Sequence, residues 1–276
     1  MTIQRGLFRK LFDLSGSVAV VTGAVGILGK YFCAGLADHG ARVAVVDLDA
    51  TSCTSFAVEL TEIFGATCIG VGCDITDSRQ VRAMIDEVEA KLGPITILHN
   101  NAATKGHDPN RFFDSVKEFD IAAWREIMAV NLDGAFLVAR EIGERMAART
   151  GGSIIQTGSI YGHLGPDQRI YQGSEYKGRP INTPAIYSAS KAALNGLTRY
   201  LAAYWGSRNV RVNTLTPGGV TSGQNETFDR RYSARVPMGR MAKAEELVGA
   251  LVFLASDASS YVNGQNIVVD GGLSTW

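Results

Sequence analysis

Three observations on this 276-residue chain predict an α/β fold, a doubly wound parallel sheet flanked by helices on both faces. Short apolar runs alternate with helix-length segments from end to end. The runs are continuously apolar, as expected of parallel strands buried on both faces. A glycine-rich turn joins the first run to the first helical segment. That rhythm is a series of βαβ units.

The runs at 18–21, 43–46, 68–71, 95–98, 153–156, 210–213 and 267–269 predict seven strands. Helical stretches at 28–39, 78–92, 119–149, 187–205 and 244–255 separate them. The length suits one large domain spanning 1–276. Residues 1–14 read as a packed arm or frayed end. The segment 161–185 has no helical or strand period and is expected to be a long irregular loop, of the kind that serves function or is disordered.

Composition excludes several classes. Lys+Arg and Asp+Glu are both 27, so no net field points to nucleic acid or an anionic membrane. No apolar run reaches the length of a membrane span. No signal peptide is expected at the N-terminus, which makes a cytoplasmic protein the default. Cys33, Cys53, Cys68 and Cys73 form no CxxC pair and read as reduced structural thiols. His39, His99, His107 and His163 are scattered, so no protein-built metal site is expected.

The chemistry is announced by Tyr187 and Lys191. Of nine tyrosines, only Tyr187 has a lysine at +4, a spacing that places both on one helix face. A neighbouring cation favours the phenolate and moves a phenol toward acid–base work at neutral pH. After the first strand comes Thr22-Gly23-Ala24-Val25-Gly26-Ile27-Leu28-Gly29, a turn that lets backbone amides approach a pyrophosphate at a helix N-terminus. The second strand ends at Asp47, placed to bond adenosine ribose hydroxyls, and no arginine or lysine follows to receive a 2′-phosphate. Together these predict a dinucleotide site, with NAD(H) ahead of NADP(H).

These motifs stand in the order found in the short-chain dehydrogenase/reductase family, which the chain resembles from about residue 13 onward. The glycine turn resembles the family's coenzyme turn, and Asp74-Ile75 its adenine-side element. Asn100-Asn101-Ala102-Ala103 resembles the element after the fourth strand, and Pro217-Gly218-Gly219-Val220-Thr221 the loop over the nicotinamide. The resemblance implies a Rossmann-type seven-stranded sheet and a coenzyme site of Gly23, Gly26, Ile27, Leu28, Asp47, Asp74, Ile75, Asn101, Ala102, Tyr187, Lys191, Pro217, Gly218 and Val220. It implies four catalytic residues. Tyr187 carries the proton, Lys191 lowers its pKa and holds the ribose, Ser159 bonds the substrate oxygen, and Asn131 serves a proton relay. Helices 119–149 and 187–205 resemble those that pair subunits in the family, implying a homotetramer first and a dimer second.

Two features depart from the family's usual form. The glycines are spaced GxxGxxG, like the extended branch, with Ile27 where a glycine is usual. The stretch between Ser159 and Tyr187 is about twice the usual length, and the surplus is 161–185. Gln168, Arg169, Tyr171, Gln172, Glu175, Tyr176 and Lys177 make that insertion rich in hydrogen-bonding groups. The sequence therefore predicts an oxidoreductase that interconverts a secondary alcohol and a ketone on a small polar, sugar-derived substrate. A 3-oxoacyl-carrier-protein reductase using NADPH is the enzymatic rival. A non-catalytic dinucleotide-sensing regulator is the rival from another class. Arg230, Arg231, Arg235 and Arg240 read as a solvated face or an anion site, Tyr200, Tyr204 and Trp205 as core or interface, and Asn225-Glu226-Thr227 as a plain loop.

Overall fold

The computed structural model describes residues 6, 8–176 and 178–276; Lys177 of the insertion lies outside the described residues. The strands are β1 (Val18–Thr22), β2 (Arg42–Asp47), β3 (Cys68–Gly72), β4 (Ile97–Asn100), β5 (Gly152–Thr157), β6 (Glu175–Tyr176), β7 (Arg179–Pro180), β8 (Val210–Pro217) and β9 (Asn266–Val269). Seven of them form a parallel sheet in the order β3-β2-β1-β4-β5-β8-β9. The order reverses between β1 and β4, and such a switch point opens a crevice beyond the strand ends.

Alternate strand residues feed two cores, which is why the runs are apolar throughout. Val18, Val20, Leu98, Ile154 and Val212 face α3 (Ser78–Leu92), α5 (Ala135–Ala147) and α6 (Ala185–Trp205). Ala19, Val21, Val43, Ile97 and Ile155 face α1 (Ile27–Asp38), α2 (Ala50–Phe64) and α8 (Val248–Ala255). Asp49 caps α2 through the amides of Thr51 and Ser52, and Gly65 ends it with φ +66°. Asp77 caps α3 in the same way.

The helical stretch predicted at 119–149 is divided. Asp120 caps α4 (Ile121–Met128), a π-turn follows at Ala129–Gly134, and only then does α5 begin. Gly134 explains part of this. A Cβ there would come within 2.7 Å of the Ile75 side chain, so the widened turn seats against β3's exit.

The insertion also differs from the expected irregular loop. It forms short 3₁₀ turns at Ile160–Gly162 and Gln168–Tyr171 and the antiparallel pair β6–β7. Ile160 and Ile170 are buried with Phe228, Tyr232, Val236, Met241 and Leu273, a third core. The segment shows no period because its partner is α7 (Glu226–Ser233), far away in sequence. It is a folded cap. Among the other expectations, Trp205 is core, whereas Tyr200 and Tyr204 stack on one another at the surface. Asn225 is the N-cap of α7.

Candidate active site

The coenzyme cradle is built first, at the end of β1. Gly23 has φ +64°, and a Cβ on it would stand 2.7 Å from Ala102 Cα. Gly29 is equally constrained, since a Cβ would meet the Gly23 carbonyl oxygen at 2.2 Å. The Thr22 hydroxyl accepts from the amides of Asn101 (3.1 Å) and Ala102 (3.2 Å), while Asn101 Nδ2 donates to the carbonyls of Thr22 and Gly23. Thus Asn101 and Ala102 shape the turn from behind. Gly26 begins α1 with no side-chain cap among the described residues, in contrast to α2 and α3. The first-turn amides, from Ile27 and Leu28 onward, therefore face the crevice as donors for an anion.

Asp47 ends β2 beside this turn. Its carboxylate accepts from Val25 N at 3.2 Å and Leu48 N at 2.8 Å. Asp74 accepts from the amide and hydroxyl of Thr76, and the Ile75 side chain packs on the π-turn. Pro217 ends β8, Gly218 N donates to Val269 O at 2.9 Å, and Val220 forms a bridge with Ala242. A glycine cradle, an uncapped helix start and an acid at the second strand's end fit a dinucleotide.

The four candidate catalytic residues lie where β5 runs into the cap. Ser159 is buried just past β5, where its Oγ accepts from Tyr161 N at 3.3 Å, and it lies near enough to Tyr187 on the first turn of α6 to act on the phenol. Lys191, one turn further and 4% exposed, donates from Nζ to the Thr157 carbonyl at 2.8 Å. Asn131 lies inside the π-turn. Its Oδ1 accepts from Thr104 N at 2.8 Å, and its Nδ2 approaches Ser190 Oγ at 3.4 Å. All four residues singled out in the sequence come together.

Burial raises the Tyr187 pKa, and Ser159 opposes that rise. The ammonium is aimed at the Thr157 carbonyl, and burial brings Lys191 itself down to about 8.

Sequence reading missed Thr22, Thr157 and Tyr232. Tyr232 accepts a hydrogen bond from Gly219 N in the nicotinamide-side loop, and its ring lies 2.5 Å from where a Gly219 Cβ would stand. The double glycine of that loop was the available signal. Gly162 is a close-packing position, since a Cβ there would meet the Lys191 backbone at 2.9 Å. The cap forms one wall of an open cavity of about 120 Å³ lined by Tyr161, Ile170, Tyr232, Arg235 and Trp276 among others. Three of the four arginines are tied within the protein. Arg235 pairs with Asp167 and Arg240 with Glu246, while Arg231 donates to the carbonyls of Arg169 and Gln172.

A family model described as enoyl-(acyl carrier protein) reductase matches residues 23–274. Galactitol 2-dehydrogenase (L-tagatose-forming) of Cereibacter sphaeroides is 36% identical over 98% of this chain and 99% of its own length. The chain is a short-chain dehydrogenase/reductase. D-threitol dehydrogenase of Mycolicibacterium smegmatis is likewise 36% identical, over 95% of this chain and 94% of its own. Among solved short-chain dehydrogenases, a gluconate 5-dehydrogenase from Burkholderia cenocepacia, in complex with NADP and tartrate, matches with TM-score 0.84 and 33% identity. That likeness covers 97% of this chain and 98% of the other. Membership makes this protein a nicotinamide-dependent oxidoreductase of CH–OH groups, and its GxxGxxG turn is accommodated within the usual fold.

Proposed function

We propose that the protein interconverts a secondary alcohol and a ketone on a polyol or similar sugar-derived substrate, with NAD(H) preferred to NADP(H). The reading rests on Ser159 placed near Tyr187 at the end of β5, with Lys191 fixed one turn away by a backbone carbonyl. Bound nicotinamide supplies the hydride exchange. Tyr187 passes a proton to or from the substrate oxygen, and Ser159 donates a hydrogen bond that stabilises charge developing there. Lys191, at about 8, exchanges protons near neutral pH. Asn131, beside Ser190, serves the path between that lysine and solvent.

Support for the substrate class comes from the cap and from the relatives, whose names specify galactitol, threitol and gluconate. A cavity bordered by phenols, an indole and a guanidinium suits a ligand dense in hydroxyls. Support for NAD comes from Asp47, whose charge at the ribose end repels a 2′-phosphate. The same residue argues against the NADPH-using 3-oxoacyl reductase, and the tied arginines leave a weak docking face for an acidic carrier. The intact Tyr187–Lys191 pair argues against a regulator without turnover. Exposed Ile121 on α4 and Tyr200 and Tyr204 on α6 support pairing through those helices into a homotetramer, with a dimer next. A cytoplasmic location completes the reading.

The test is an oxidation screen of polyols, sugars and sugar phosphates with NAD and NADP, beside 3-oxoacyl reduction with NADH and NADPH. Polyol oxidation should lead, with kcat/KM at least about tenfold higher for NAD, or ~1.4 kcal/mol. Faster 3-oxoacyl reduction would reject the substrate class, and equal use of both coenzymes would reject the role of Asp47. Light scattering on the same sample should show a tetramer; a stable monomer at micromolar concentration contradicts it.

A further inference from the structure

His99 lies on β4, fully buried, two residues before Asn101, and its ring meets Phe32 of α1 edge-on at 4.5 Å. Its Nε2 is 2.9 Å from Thr157 Oγ1, and that hydroxyl lies 3.2 Å from Asn101 Oδ1. The direction of every proton in this chain is fixed by what stands at its end. Asn101 turns its Nδ2 toward two carbonyls, Thr22 O and Gly23 O, so its Oδ1 faces Thr157 and can only accept. The Thr157 hydroxyl must therefore donate to Asn101. Its remaining capacity is to accept, so His99 Nε2 carries a hydrogen and donates. The imidazole is the neutral Nε2–H tautomer, leaving Nδ1 as an acceptor without a partner. A second proton would place an unpaired N–H in the core beside Lys191, and burial holds the ring down at about 3.

Thr157 is the branching point. Its side chain leads through Asn101 to the glycine turn, and its carbonyl receives the Lys191 ammonium at 2.8 Å. We propose that His99 is a positioning residue that sets the coenzyme turn and the catalytic lysine from one buried point, acting through Thr157. A hydrophobic residue of similar size would fill the same space against Phe32. It would leave the Thr157 oxygen without its donor and free the hydroxyl to rotate away from Asn101. The inference rests on the coenzyme site alone, so failure of the polyol assignment leaves it standing.

The test compares His99→Leu, which keeps the volume, with His99→Gln, whose Nε2 lies at the same number of bonds from the backbone as the imidazole donor. NADH affinity is measured by fluorescence titration of the unliganded protein, with thermal stability recorded alongside. His99→Leu should weaken NADH binding about tenfold, as expected for a buried group left unpaired. KM for the alcohol should move less than about twofold, and His99→Gln should recover most of the affinity. A plain packing role predicts the opposite pattern, with both variants losing thermal stability and neither losing NADH affinity selectively. If His99→Leu does not fold, Thr157→Val removes the shared hydroxyl at constant shape and should give the same weakening, with Thr157→Ser restoring it. In the double variant the two losses should not add, because they interrupt one chain. Wild-type affinity in His99→Leu or Thr157→Val, no recovery with Gln, or additive losses would each overturn the proposal.

Discussion

Between β1 and β4 the chain is held by continuous backbone ladders, side-chain helix caps and glycines pressed against backbone. Between Ile160 and Pro184 it is held by side chains reaching into a distant part of the sequence. Tyr171 stacks on Phe228 of α7 at 5.6 Å, Arg231 reaches the Gln172 carbonyl, and Asn225 Nδ2 reaches Gly173 O. The first region offers a binding surface made mostly of main chain, which many side-chain changes would leave intact. The second presents a surface made of Tyr161, Tyr232, Arg235 and Trp276, which changes whenever those residues change. The glycine cradle sits on the former, and the cavity wall on the latter.

The largest expected effect tests where the two regions join. Tyr187→Phe keeps the ring against Phe112 but removes the transferable proton, so kcat should fall by roughly 10²–10⁴. NADH affinity should stay within about twofold, because the glycine cradle is untouched. Retention of a tenth of the activity would remove Tyr187 from the chemistry.

A smaller effect is expected from the cap alone. Shortening 164–181 to a tight turn should raise KM for the preferred alcohol by about tenfold or more and flatten discrimination among polyols, since buried hydrogen-bonding groups are lost. Coenzyme affinity and subunit number should persist. Unchanged KM and preference in an intact assembly would show that the cap does not read the substrate.

The smallest effect separates the cap's own tethers. Hydrogen bonds from the Arg169 side chain and backbone, helped by Arg235, hold the Asp167 carboxyl down at about 2. A depressed carboxyl contributes stability above its unfolded value near 4 and loses it as pH falls toward 2. Asp167→Asn should therefore lower Tm by a degree or so, a gap constant from about pH 7 to pH 4 and narrowing below that. A gap that already closes between pH 7 and 5 would assign the tether to another group.

The asymmetry of the two regions also decides what sequence could show. Parallel strands must be apolar on both faces, and a φ of +64° at Gly23 excludes most other residues, so physics wrote those positions in recognisable form. Tyr187 and Lys191 were legible from their spacing on one helix face, and Ser159 and Asn131 from the family motifs their surroundings resemble. Thr157 and His99 were not, because a threonine that branches two hydrogen-bond chains looks like any strand residue. The π-turn was hidden inside a good helical period. The cap's order was hidden because its apolar residues answer to Phe228 and Tyr232 rather than to each other. The Lys191–Thr157 contact was likewise hidden, because it runs to a backbone carbonyl that no motif records.

The stems of the cap explain how such an insertion is tolerated. At one end Gly162 rests on the backbone of Lys191, and at the other Pro184 starts the helix that carries Tyr187. Both stems are anchored to the same helix, so chain added between them cannot shift the spacing of Ser159, Tyr187 and Lys191 in space. Closing a loop between fixed ends becomes costlier only with the logarithm of its length, about 0.6 kcal/mol for each doubling. That is less than a typical buried hydrogen bond contributes. Length at this position is thus thermodynamically cheap to vary, and each variation reshapes the cavity wall without retuning the groups that move the proton.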